Sequence, residues 1–245
     1  MKLIFNLFNL ENSKSHLPRS KKKIVKKNLY KEKRLEKRKL EHKRRRINKK
    51  NNENCGVITC QNLQICIDLD FYYLMSEKEK GKLFRQLCRV WGLQKKFSGL
   101  DTTLLNGSED FYNKGNILVS GFDKFNWRKS AGNLKDVFEN KVNFVYLSPD
   151  PNCKPILEID DNTVYVIGGL VDESGVGSKT LDKANSLSLE CKRLPIKEFM
   201  KRDTKGTYNE MLSINLVVEF LCKIASGNSV KDSLSEIIPK RIGYI

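Results

Sequence analysis

The chain has 245 residues, with 46 Lys/Arg against 29 Asp/Glu and a formal net charge of +17, enough for one good-sized core plus an appendage, since domains typically run about 100 to 200 residues. The charge is concentrated: residues 1 to 52 hold 20 Lys/Arg and 4 Asp/Glu, a net +16, leaving the rest close to neutral. Both histidines, His16 and His42, lie in that basic stretch, so the remainder offers no Ser-His-Asp or Cys-His pair, no histidine base and no histidine metal site.

The opening MKLIFNLFNL is apolar but short and broken by Asn6 and Asn9, lacking a small-residue cleavage site, and no apolar run approaches the roughly 20 residues of a membrane span. No membrane is expected as a partner. Lys21 to Lys50 is rich in helix formers, free of Gly and Pro, and shows Leu29, Leu35 and Leu40 only as isolated apolar points. It reads as a solvated helix or a disordered tail, and its charge suits a polyanion, because each phosphate neutralised releases counterions. Residues 48 to 54, NKKNNEN, read as a linker, so the expected organisation is a basic arm over 1–54 and one domain over 55–245. The seven cysteines are scattered and never spaced C-x-x-C, which suggests reduced, buried thiols and neither a disulfide framework nor a zinc knuckle.

In QICIDLD, residues 64 to 70, apolar residues alternate as in a strand, and Ser76 with Glu79 makes a capping box that opens a helix to about Trp91. Strands are expected at 101–105, 117–120 and 142–147, with helices near 129–139 and 153–159. The run TVYVIGGLV follows as a strand, then a helix at about 179–187, a short strand near 190–194, and helices near 209–224 and 229–237. Such alternation predicts a parallel α/β sheet with helices on both faces.

The segment YVIGGLVDESGVGSKT at 165 to 180, with RLPI at 193 to 196 and MLSIN at 211 to 215, places three loop signatures about one β-α unit apart, as in a composite site built from strand ends. GLVDESGVGSKT is near a phosphate-binding P-loop, but Ser178 separates Gly177 from Lys179 and breaks the Gly-Lys-Ser/Thr sequence that loop needs. Alone, Gly168-Gly169 is consistent with a tight turn, and Leu194 or Leu212 with plain core. Together with IDLDFYYLMSEKE at 67 to 79, RQLCRVWGL at 85 to 93 and IPKR at 238 to 241, they resemble the tRNA (guanine-9-N1)-methyltransferase family over about residues 62 to 243. The DES sequence, RLPIKEFM and the terminal GYI are most similar to its animal B homologue.

That resemblance implies the SPOUT fold with a trefoil knot at about 143–230, and S-adenosylmethionine as cofactor. It implies a cofactor pocket made of Leu147, Gly168, Gly169 and Glu173, Ser174, Gly175, Val176 and Gly177 on one wall. Leu194 and Pro195 would form a second wall, and Met211, Leu212, Ser213 and Asn215 a third. Asp172 takes the place of the family's proposed catalytic aspartate, fitted to accept or orient the N1 proton of a neutral guanine. Asp68, Lys78, Gln86 and Arg89 are implied as RNA-binding, with Arg85, Lys95, Lys96, Lys124, Arg128 and Lys129 as further positive points and Trp127 either stacking or packing. Ser174, Ser213, Leu216 and Lys95 depart from the residues common at their positions; Ser for Thr keeps a hydroxyl, whereas Leu for Gln loses a hydrogen-bonding group. The expected activity is transfer of a methyl to N1 of guanine at tRNA position 9 by a metal-free monomer in nucleus or cytoplasm. The alternative is an RNA-binding scaffold subunit of a mitochondrial ribonuclease P-like complex. A basic ribosome- or chromatin-associated factor would explain the arm but leave GGLVD, LPI and S-x-N without a purpose.

Overall fold

The computed structural model describes residues 18–53, 56–138, 143–172 and 178–245. The chain divides between Gly56 and Val57 into two units. The first carries helix α1, Arg19–Glu53, which extends through most of the stretch expected to be a linker. Only Val25 and Leu29 of its described side chains are even partly covered.

The second unit is built on seven parallel strands in the order β3-β2-β1-β6-β4-β7-β5. In chain order these are β1 (Ile58–Asp68), β2 (Phe97–Leu105), β3 (Arg128–Ser130), β4 (Asn143–Leu147), β5 (Lys154–Pro155), β6 (Thr163–Gly168) and β7 (Glu190–Arg193). Every residue of β6 is buried, as expected of a strand covered on both faces. Ile65, Ile67, Tyr165 and Ile167 join one apolar cluster, and Cys66, Tyr146, Val164 and Val166 the other, so alternate residues feed opposite layers.

Helix α2, Glu77–Lys96, starts with the expected capping box: the Ser76 hydroxyl accepts from Glu79 N, and Ser76 N donates to the Glu79 carboxylate at 2.9 Å. The strand expected at 117–120 is instead the end of helix α3, Glu109–Leu118. There Phe111 is fully buried and Gly115 lies close against the rings of Phe84 and Phe122, so three-dimensional packing overrode the apolar run. The helix expected near 153–159 is also absent: Lys154–Pro155 pairs with β7 instead, and Pro155 lacks the N–H a helix interior needs. Between β3 and β4 the described helix is a single turn, α4, Leu134–Val137. The remaining helices are α5 (Lys179–Ser186), α6 (Ile196–Phe199), α7 (Ile214–Ala225) and α8 (Val230–Ile237). None of the helices among the described residues is long and apolar enough to cross a membrane.

Candidate active site

The strand register brings the carboxyl ends of four strands level. Asp68 pairs with Gly168, Leu147 with Ile167, and Leu147 with Lys192. Beyond the ends of β6, β4 and β7 lies a cavity of about 340 Å³, in the size range of small-molecule sites and at the sheet edge where open α/β sheets bind ligands.

The first wall comes from β4 and β6. Leu147, Gly168, Leu170, Val171 and Asp172 line it. Gly169 does not, and its role is to let the chain turn. Its N–H donates to the Asp68 carbonyl at 2.7 Å, and a Cβ there would sit 2.8 Å from that same oxygen, so no larger residue fits without movement. Val171 N also approaches Met75 Sδ at 3.2 Å. Two ties thus fix the loop to the turn after β1, and they set where Asp172 stands. The Asp172 side chain is 14% exposed and its Oδ2 is 4.0 Å from Lys179 Nζ, a cation that also lines the cavity. Glu173, Ser174, Gly175, Val176 and Gly177 lie outside the described residues.

The second wall is the end of β7. Leu194 lines the cavity with Arg193, whereas Pro195 is buried as the residue before α6. Arg193 forks onto Glu198 through both terminal nitrogens at 3.0 and 2.5 Å, which holds the Glu198 carboxyl below its ordinary range. Its Nε is buried without a partner among the described residues.

Glu210, Met211, Leu212 and Ser213 make the third wall. Asn215 is buried behind it and accepts from the Ser213 hydroxyl at 3.1 Å. Glu210 is tied down by Tyr244, whose hydroxyl donates at 2.9 Å, and by Lys197 at 3.2 Å. The C-terminal tail runs back along this loop, with Lys201 and Ile245 exchanging two 2.8 Å backbone bonds.

The residues assigned to RNA fall into three groups. Lys78, Arg85 and Arg89 are exposed on α2 at helical spacings that share one face, and Lys82, which no sequence motif singles out, continues that stripe into the cavity wall. Its i+4 spacing from Lys78 was the available signal. Lys95, Lys96, Lys124, Arg128 and Lys129 are exposed too, while Trp127 packs, its indole N–H donating to Gln94. Gln86 and Asp68 sit elsewhere. Gln86 lines the cavity and its Oε1 accepts from Ile214 N at 2.8 Å, satisfying one of the free N–H groups that open α7. Asp68 is 2% exposed and accepts from the Tyr146 hydroxyl at 2.9 Å and from Asp70 N at 3.1 Å. Burial raises its pKa, against the lowering effect of those bonds and of nearby Lys183.

A parallel sheet with a small-molecule cavity at its strand ends, flanked by a carboxylate and a line of cations, defines an open α/β ligand-binding scaffold. Residues 8–243 match the family described as tRNA (guanine(9)-N(1))-methyltransferase TRM10/TRM10A, and the chain belongs to that family. It is 32% identical over 187 residues to the tRNA methyltransferase 10 homolog B of Mus musculus, covering 74% of this chain but only 58% of that protein. The tRNA (guanine(9)-N1)-methyltransferase of Schizosaccharomyces pombe is 28% identical over 238 residues, covering 93% of this chain and 74% of the relative. Among solved structures, full-length spTrm10 in complex with SAH superposes with a TM-score of 0.65 at 25% identity, over 76% of this chain and 98% of the other.

Proposed function

We propose that this chain is an S-adenosylmethionine-dependent methyltransferase that modifies N1 of guanine at position 9 of tRNA. The observation that carries the reading is the convergence of three separate loops on one cavity, with Asp172 in its wall. Family membership and the SAH-bound spTrm10 support the cofactor. The residues present also fit it. Apolar Leu147, Leu194 and Leu212 offer flat contact to an adenine, and the buried, unpartnered Nε of Arg193 is a donor waiting for an acceptor.

The cofactor supplies a methyl already activated on a sulfonium. The chain's residues must then seat it and prepare the nucleophile. Guanine N1 carries a proton, so Asp172 accepts or orients that proton, with Lys179 Nζ 4.0 Å from its Oδ2. The α2 stripe of Lys78, Lys82, Arg85 and Arg89 meets phosphates and sets the register of the RNA without reading its sequence. The basic helix Arg19–Glu53 adds a second, salt-sensitive hold. The insertion of β6 between β1 and β4 is in keeping with the SPOUT arrangement and its trefoil knot, and the chain acts as a monomer, in nucleus or cytoplasm, the basic arm doing what a second subunit would otherwise do.

The test is methyl transfer from labelled S-adenosylmethionine to unmodified transcripts carrying G, A or U at position 9. Product confined to the G transcript is expected. Tight RNA binding with no product on any transcript would overturn the enzyme in favour of an RNA-binding scaffold.

A further inference from the structure

A second cavity, of about 280 Å³, opens on the same carboxyl rim of the sheet. The first lies beyond β6, β4 and β7, whereas this one lies beyond β1 and β2, whose ends Asp68 and Leu105 are paired in register. Helix α5 connects them: Thr180 lines the first cavity and Lys183, one turn on, lines the second. A polymer crossing the rim from one cavity therefore meets the other.

Its lining has three features. Tyr73, in the turn after β1, is 79% exposed, although a free aromatic ring gains by being covered. Asp70 and Lys183 face each other at 2.7 Å, so the cavity presents both an acceptor and a donor. Asn106, held at a positive φ of 57°, accepts from Gly132 N at 2.9 Å through its Oδ1, which points its amide hydrogens the other way. A bare phosphate would meet the Asp70 carboxylate and be repelled. A planar ring with donors and acceptors along its edge would stack on Tyr73 and find partners for both signs.

We propose that this second cavity seats an unpaired nucleobase flanking the one that is methylated, with Tyr73 as the stacking platform. The proposal rests on the RNA-modifying reading above. Splaying a flanking base onto Tyr73 would hold the RNA open next to the target, whose N1 edge has to be exposed before it can react.

The experiment is a binding cycle with the full chain. Wild type, Tyr73→Ala and Tyr73→Trp are titrated with intact transcript and with transcripts made abasic at the nucleotide on either side of the target. Stacking on an aromatic is worth a factor of roughly ten in affinity. Tyr73→Ala should therefore lose roughly tenfold on intact RNA, and Tyr73→Trp should retain binding. One abasic site should cost the wild type the same factor and cost Tyr73→Ala nothing further. Affinity of Tyr73→Ala equal to wild type, or losses that simply add, would overturn the proposal. S-adenosylmethionine affinity should be equal in all three proteins, which guards against misfolding. If wild type binds RNA but methylates no transcript, the enzyme reading fails by itself, and quenching of 2-aminopurine placed at the flanking position still decides the cavity.

Discussion

Helix α1 and the domain after it are made from the same residue types by opposite means. Along Arg19–Glu53 the described side chains are exposed with two partial exceptions, so its helicity rests on the propensity of Lys, Arg, Leu and Glu alone. From Val57 onward the charge nearly cancels, and buried strands such as β6 carry the structure. The first region says much about what it meets and little about shape. In the second, shape comes from apolar burial, and chemistry from a few polar groups at its edge. In the basic helix, effects should accordingly be additive and erased by salt; in the domain they should hang on single atoms.

The largest effect expected is at one such atom. Asp172→Asn keeps the shape of the side chain and removes its basicity, so single-turnover methyl transfer should fall by about 10² to 10⁴ with S-adenosylmethionine affinity nearly intact. Wild-type rates across the whole pH range would remove Asp172 from proton handling.

Deleting residues 1 to 50 tests the other side of the contrast. Every phosphate that the protein then ceases to neutralise should reduce the slope of log affinity against log salt by about 0.7 to 0.9. RNA binding should weaken on the order of tenfold or more at low salt, while the difference shrinks as salt rises. Scrambling the arm at constant charge should do far less. An unchanged salt slope would show that the domain alone holds the RNA.

A pair of glycines sharpens the point about single atoms. At Gly169 an added Cβ would stand 2.8 Å from the Asp68 carbonyl, whereas at Gly81, inside α2, nothing lies within 4 Å. Gly169→Ala should cost about 1 to 3 kcal/mol, the usual penalty of overpacking, and loosen the loop that carries Asp172. Gly81→Ala should stabilise by up to about 1 kcal/mol through helix propensity. Thermal melts of the two variants check both signs.

How far the sequence could be read follows the same division. The Ser76–Glu79 box, the buried TVYVIG strand and the glycine pair are local signals, and each lies where local chemistry put it. The order of the sheet is not local: nothing within β6 tells that it will lie between β1 and β4. The ILV of residues 117–119 was misleading because Phe111 and Gly115 face the core while Ile117 and Leu118 are exposed at the end of the helix. Within the site, Leu147, Gly168, Asp172, Leu194, Met211, Leu212 and Ser213 gather round one cavity. Lys82 and Arg193 share it, but spacing from Lys78 and a place in the RLPI segment were their only signals, because a cation in a sequence looks the same at a cavity wall as on a solvated face.

Asp68 offers the finest test, since family resemblance directs it toward RNA while the fold buries it. Burial raises its folded-state pKa above the ordinary 3.8, so the native protein holds this proton more tightly than the unfolded chain does. The sign follows from linkage: stability is unaffected below 3.8, declines as pH rises from there through the raised value, and stays lower above it. Asp68→Asn cannot ionise, and its single oxygen can accept from Asp70 N while its amide nitrogen donates to the Tyr146 hydroxyl oxygen. Its melting temperature should therefore exceed that of wild type at neutral pH, with the gap closing on acidification. RNA affinity should hardly change, because the group lies behind the rim rather than on it. A gap that widens at low pH would show that the ionised carboxylate stabilises this fold, and a large loss of RNA binding at unchanged stability would return Asp68 to the RNA surface.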